Sequence, residues 1–291
     1  MNWKALFGLA PPRQSTPAER LAEIAAQQRE RLATLKPDAV VVYDIQDESD
    51  RNAAPRPFPF LPTVDAAHWA DSALAGTAAP RITYKSVPAQ SGDELTRWLS
   101  GRSGAAVLVG APSKRAGGLS LNDAYALART HAPSLQLGGV AIPERHHRAN
   151  DEHRRMIAKT AQGCRFFVTQ AVYDVHSSLS VLSDYALELA ATGAQPVPIF
   201  FTFAPCGSEK TVEFMKWLGV SFPRWLENEL RHAPDILERS HRLCVRNFRE
   251  LHDFAREKKL PIGFNVESVS IRKAEIEAAA ALFHALREIV S

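Results

Sequence analysis

Residues 138–174, GGVAIPERHHRANDEHRRMIAKTAQGCRFFVTQAVYD, decide how the chain folds. They open inside an apolar run, Leu137 to Ile142, that ends in Pro143-Glu144-Arg145-His146. A charge-dense helical stretch follows, from Asn150 to Gln162. A second apolar run then closes on Thr169-Gln170, and Asp174 opens the next helix. Strand, polar tip, helix, strand and polar tip is the pattern of a βαβ unit. In a parallel barrel the strand tips converge on one face, so polar residues placed there are candidates for chemistry.

The same pattern extends outward along the chain. Further strand candidates are Ala5–Ala10, Ala39–Asp44, Arg81–Ser86, Ala105–Gly110, Val197–Phe203 and Pro261–Val266, with Arg165–Gln170 closing the quoted stretch. Most are near-continuous apolar runs, as strands buried on both faces of a parallel sheet must be. Helical patterns lie between them. Thr16–Leu35 places Leu21, Ile24, Ala25, Gln28 and Leu32 at helical spacing, and Tyr173–Ala191 and Ile271–Ile289 are also amphipathic. This alternation predicts an α/β fold, a (β/α)8 TIM barrel forming one domain over residues 1–291. The alternative, a doubly wound sheet, lacks its glycine-rich G-x-G-x-x-G turn.

Two segments exceed a minimal barrel. Asp44–Pro62 is a polar, proline-rich loop, too long for a tight connection and therefore read as functional. Pro223–Lys259 adds helices between strands seven and eight, anchored by Trp217, Phe222 and Trp225, an aromatic group read as packing.

At 291 residues, 45% hydrophobic and 23% charged, the chain has the composition of a globular domain. A net charge of +3, with acidic and basic residues intermixed, gives no nucleic-acid footprint. Cys164, Cys206 and Cys244 show no C-x-x-C spacing, so free thiols in a reducing cytoplasm are expected and no metal site is. No apolar run approaches the roughly 20 residues that span a bilayer. A cytoplasmic enzyme with a small-molecule substrate, forming a homo-oligomer or not, fits these bounds.

Several strand tips together resemble the methylenetetrahydrofolate reductase family. The resemblance rests on Pro143-Glu144-x-His146, Lys159, Gly163 and Thr169-Gln170-x-x-x-Asp174. It extends to Phe7-Gly8-Leu9-Ala10-Pro11-Pro12-Arg13, to Leu35-Lys36-Pro37-Asp38 and to Phe214 through Val220-x-x-Pro223-x-Trp225, covering nearly the whole chain in order. It implies reduction of 5,10-methylenetetrahydrofolate to 5-methyltetrahydrofolate with NAD(P)H, through FAD or directly, in methionine biosynthesis. It also implies substrate contacts at Gln170 and Ser113, and cofactor contacts at His146, Glu152, Lys159, Tyr43 and Arg81.

The residues themselves support parts of this. The Gln170 carboxamide donates and accepts at once, matching the alternating edge of a pterin, though a glutamine there also suits the following helix. Glu152 and Lys159, seven residues apart, share a helix face that reads equally as a phosphate-meeting surface or a solvated one. Glu144 reads as a carboxylate orienting His146 or an arginine. Lys114, Arg115, Gly117 and Gly118 form a basic loop able to meet a phosphate or a glutamate tail.

Four places depart from the family. Gly8 stands where it has a catalytic glutamate, Gly110-Ala111-Pro112-Ser113-Lys114 where it has an Arg-Gly-Asp tip, Arg81 where it has a histidine, and the segment near Ser208 where it has an aromatic that stacks on substrate. A replacement acid is then expected from a strand adjoining strand one. Glu267 at the end of strand eight and Asp44 at the end of strand two are the candidates, with burial raising the chosen carboxyl toward a useful pKa. The alternative function is a folate-binding or regulatory barrel that has lost redox activity, for which Gly8 is the main argument.

Overall fold

Strands apolar on both faces need a layer on each side, and a sheet closed on itself supplies one of them. The computed structural model describes residues 2–48, 53–88, 90–110 and 118–291. Its eight strands form a closed parallel barrel in sequence order. They are β1 (Ala5–Leu9), β2 (Ala39–Val42), β3 (Arg81–Ser86), β4 (Ala105–Val109), β5 (Gln136–Ala141), β6 (Phe166–Ala171), β7 (Ile199–Phe203) and β8 (Ile262–Val266). Closure is made by β1 against β8, with Leu6 opposite Asn265 and Phe7 opposite Val266. Each expected strand is present within two residues at either end.

The helices pack outside. They are α1 (Ala18–Leu35), α2 (Ala66–His68, continued by a π turn over Trp69–Ala73), α3 (Gly92–Leu99), α4 (Leu121–His131), α5 (Pro143–Ala149), α6 (Glu152–Ala161), α7 (Val175–Thr192), α8 (Glu209–Trp217), α9 (Arg224–Arg231), α10 (Ile236–Glu257) and α11 (Lys273–Val290). Their starts follow local chemistry. Ser91 and Glu94 form a reciprocal capping box on α3, and Ser120, Asp174, Ser208 and Asp235 each accept a first-turn N–H. The extra segment between β7 and β8 is helical, as α9 and α10. In it Phe222 stacks on Tyr173 at 4.3 Å, whereas Trp225 lies half-exposed beneath Arg246.

One element differs from expectation. Pro143–Ala149 is not an extended tip but a helix, because proline's fixed φ suits a first helical turn and its missing N–H costs nothing there. His146 is thereby carried off the strand tip.

The strands' two faces build two cores. The outer one joins strands to helices through Phe7, Val40, Val42, Phe167, Phe201, Phe264 and Phe283. The inner one fills the barrel with Leu6, Val41, Ile82, Tyr84, Val107, Phe166, Val168 and Phe200. Eight strands leave room for large rings only where a neighbour is small. A Cβ at Gly138 would lie 2.4 Å from the Phe166 ring, and one at Gly263 would lie 2.8 Å from that of Phe200. Gly138 and Gly263 thus flank the adjoining Phe166 and Phe200 rings and make room for them.

Candidate functional site

The inward face turns polar toward the C-terminal end. In β8 the inward set is Gly263 and Asn265, and the backbone N–H of Glu267 continues the ladder by bonding Phe203 O at 3.0 Å. Tyr43, just past β2, faces the same space. Position 8 decides how these groups meet. A Cβ there would stand 2.8 Å from the Tyr43 ring, 2.9 Å from its hydroxyl and 3.1 Å from Glu267 Cβ. Without a side chain at Gly8, the tyrosine lies across β1 and reaches the carboxyl of β8.

The result is a connected polar layer. The Tyr43 hydroxyl bonds Glu267 and accepts from Asn265 Nδ2 at 2.7 Å. Asn265 Nδ2 also reaches Thr202 Oγ1 at 3.1 Å, and Thr202 donates to Thr169 O at 2.7 Å. The Tyr84 ring closes the opposite side, its centroid 4.9 Å from that of Tyr43. Burial raises the pKa of Glu267, only partly offset by the Tyr43 hydrogen bond. Burial and then the Glu267 charge push Tyr43 and Tyr84 well up, so both phenols stay neutral donors. This layer offers a carboxyl whose pKa burial raises, fixed by a neutral hydroxyl and still partly open to the mouth.

A second polar group lies on the rim at β5 and β6. The ladder from β6 to β7 pairs Val168 with Phe200 but Ala171 with Thr202, so β6 carries one additional residue. That bulge holds Thr169 and Gln170. Bulges redirect a side chain out of the regular pleat. Gln170 Nε2 donates to Leu218 O, beyond α8, at 2.7 Å. Nearby, in the first turn of α5, Glu144 keeps Oε2 buried and unpartnered. Its pKa is pushed up to about 7, first by burial and further by Asp174 and Glu152, against hydrogen bonds from its own N–H and that of Ser221.

The structure separates the remaining site residues anticipated from sequence. Asp44 has both oxygens engaged, Oδ2 by Ser86 N–H at 2.8 Å and Oδ1 by Gln46 at 2.7 Å, so it closes the β2–β3 tips. Of the two acids considered, Glu267 meets the space at Gly8. Arg81 begins β3 and therefore lies at the opposite end of the barrel from Glu267. Glu152 is fully buried and accepts from Ile142 N–H at 2.9 Å, while Lys159 donates to Val140 O at 2.6 Å. Both brace the end of β5 from the helix layer instead of facing the mouth. His146 is buried between α5 and α7, bonded to Asp184 at 3.2 Å. Ser113, with Lys114, Arg115 and Gly117, lies outside the described residues.

Asn265, Thr202 and Tyr84 were not singled out from sequence. Their signal was present in the alternation Gly263-x-Asn265-x-Glu267, which marks the inward face of β8. The thiols take no part: all three cysteines are buried and free, and burial raises the pKa of each.

Residues 53–62 of the long loop run across to α8. Ala54 O accepts from Trp217 Nε1 at 2.9 Å, and the Arg56 guanidinium lies 5.2–5.5 Å from the rings of Phe60, Phe214 and Trp217. The segment then returns to β1's loop, where Gln14 N–H bonds Pro62 O at 2.8 Å. A cleft of about 1040 Å³ opens between α1 and α11, with Gly8 and Ser268 among its lining residues. Among the described residues no helix is long and apolar enough to cross a membrane.

No family model matches the chain, and no curated protein does. Among solved structures, an endoxylanase from a sugarcane soil metagenome (11% identity, TM-score 0.52, 92% of this chain and 86% of that one) shares the fold alone. A chitinase catalytic domain from Pyrococcus furiosus does the same, at 9% identity and TM-score 0.51 over 99% and 95% of the chains. A protein from Clostridium thermocellum is far nearer: 41% identical, TM-score 0.86, covering 99% of this chain and 95% of that one. That protein, described as uncharacterized, binds two copies of 5-methyl-5,6,7,8-tetrahydrofolic acid. Identity at this level over nearly the full length of both chains places this protein in the same family as the Clostridium thermocellum folate binder.

Proposed function

We propose that this barrel binds a reduced folate of the 5-methyltetrahydrofolate type across its mouth and interconverts it with the 5,10-methylene form, using NAD(P)H as reductant. The observation that carries the reading is the folate bound by a relative 41% identical over 99% of this chain. The polar layer supports the chemical step. Reduction opens the imidazolidine ring, which requires a proton at N10 as a hydride joins the methylene carbon. The balance is methylenetetrahydrofolate plus NAD(P)H plus a proton, giving methyltetrahydrofolate and NAD(P)+.

Glu267 is the acid in this reading. Its raised pKa keeps the proton available, and Tyr43 holds the carboxyl toward the space at Gly8. Gln170 meets the pterin edge with its carboxamide, exchanging or sharing its bond to Leu218 O. Of the positions that the resemblance assigned to the cofactor, Tyr43 stays at the mouth, engaged by Asn265 and Glu267, and the other four are held elsewhere. Glu152 and Lys159 are tied to the β5 backbone, His146 to Asp184, and Arg81 sits at the other end of the barrel. No step is therefore routed through a flavin, and hydride passes directly from the nicotinamide.

Calorimetry with 5-methyltetrahydrofolate, and NAD(P)H oxidation dependent on methylenetetrahydrofolate, test the reading in order. Binding with turnover is expected. Glu267→Gln should retain folate binding and lose about 10²-fold or more in turnover. Because the acid must be protonated, wild-type turnover should fall as pH rises through the raised Glu267 pKa. Absence of folate binding overturns the whole reading. Binding without turnover favours the second one, a folate-binding barrel without redox activity, for which Gly8 in place of a carboxyl is the supporting observation.

A further inference from the structure

Two buried histidines lie side by side in the helix layer and take no part in the folate chemistry. His146 of α5 and His153 of α6 are only 2% and 4% exposed, with ring centroids 5.3 Å apart. The Nδ1 atom of each is buried without a hydrogen-bond partner. An imidazole nitrogen left unpaired away from water costs roughly 1–3 kcal/mol, so two adjacent ones call for a reason. Carboxylates from α7 complete the group. Asp184 Oδ2 is 3.2 Å from His146 Nε2, and Glu188 Oε2, one turn further, is 3.9 Å from His153 Nε2.

We propose that His146, His153 and Asp184 form a binding site for a divalent transition metal of the zinc class, with Glu188 at its rim. One potential ligand atom from each of the three lies within 4.8 Å of the others, and among the described residues no other group of three or more histidines, cysteines or carboxylates does this. Around a tetrahedral ion, ligand atoms at about 2.0–2.2 Å stand roughly 3.3–3.5 Å apart. Contraction by an ångström or so, through side-chain rotation, reaches that spacing. Two imidazoles with carboxylate suit zinc, cobalt or nickel better than magnesium or calcium. The charges also close, since Asp184 and Glu188 together neutralise a dication.

The site joins α5 and α6 to α7 across the intervening strand β6. It would fix α5, and with it Glu144 two residues before His146, against α7. That role is structural and does not depend on the folate reading. Cysteine spacing, which argued against metal in the sequence, has no bearing on a site made of histidines and a carboxylate.

The test uses the full chain, stripped with chelator and titrated with Zn2+ or Co2+ alone. One equivalent per chain is expected by elemental analysis, with the visible bands of tetrahedral nitrogen- and oxygen-ligated cobalt. Asp184→Asn and His153→Gln should each weaken uptake at least 10-fold, whereas His176→Gln, on the exposed side of α7, should leave it unchanged. Asp184 has a 41% exposed side chain, so its variant reads the site without endangering the core, and circular dichroism confirms the fold. No stoichiometric uptake by the wild type, or uptake unaltered in both site variants, overturns the proposal.

Discussion

Glu144 and Glu267 are two carboxyls at one barrel mouth, and their surroundings give them different work. Glu267 is bonded by a tyrosine and faces the space that Gly8 leaves, whereas Glu144 has an oxygen buried without any partner. The latter has a measurable consequence for stability. Below its ordinary pKa of 4.5 the carboxyl is neutral in folded and unfolded chains alike. Between there and about 7 the unfolded chain ionises while the folded one holds its proton. Stability therefore falls as pH rises through that window, by at most about 3 kcal/mol, and then levels off. Glu144→Gln removes this dependence. Urea unfolding at pH 8 should show the variant about 1–2 kcal/mol more stable than wild type, with the two nearly equal at pH 4.5. A variant equally destabilised at both pH values would show that the carboxylate is paired in the native protein.

At the scale of elements, the barrel works because strands trade volume with their neighbours. Gly138 on β5 faces Phe166 on β6 and Val107 on β4, and a Cβ there would lie 2.4 Å from the ring and 2.9 Å from the valine. Gly138→Ala should cost roughly 1–3 kcal/mol by overpacking. Phe166→Leu should relieve part of that cost, so the double variant falls short of the sum of the single ones in urea titrations. Strict additivity would mean that the two side chains do not meet. The same volume trading explains why strand one carries glycine at position 8. Its neighbour's tyrosine needs the space, and a carboxyl from β8 arrives beside it. The bulge in β6 is another device of this kind, since one additional residue turns Thr169 and Gln170 out of the regular inward-outward pattern.

For the whole molecule, the long connection after β2 is the piece a minimal barrel lacks. Its residues 53–62 are held at one end by α8 and at the other by the loop after β1. Arg56 carries much of the first attachment through three aromatic rings. Arg56→Ala should loosen this strap while leaving the barrel intact. Limited proteolysis is expected to cut the segment faster, and unfolding free energy to drop by about 1 kcal/mol or less. A proteolysis rate equal to wild type would assign the attachment to the Trp217–Ala54 bond alone.

The apolar runs and helical periods determined the architecture, because a strand buried on both faces cannot avoid announcing itself in sequence. They also placed Glu267 and Gln170 at strand tips, since a tip is simply where such a run stops. Helix direction was not readable in the same way. Glu152, Lys159 and His146 occupy charged, amphipathic stretches whose facing depends on where α5 begins, at Pro143, and on what α5 and α6 pack against. Likewise nothing local in residues 146, 153 and 184 links them; three helices bring them together. Which of Asp44 and Glu267 meets the space at Gly8 was also decided by the closed barrel. Backbone and side-chain donors beside β2 engage the first, while the interior tyrosine claims the second, and only closure of β1 on β8 sets that tyrosine within reach.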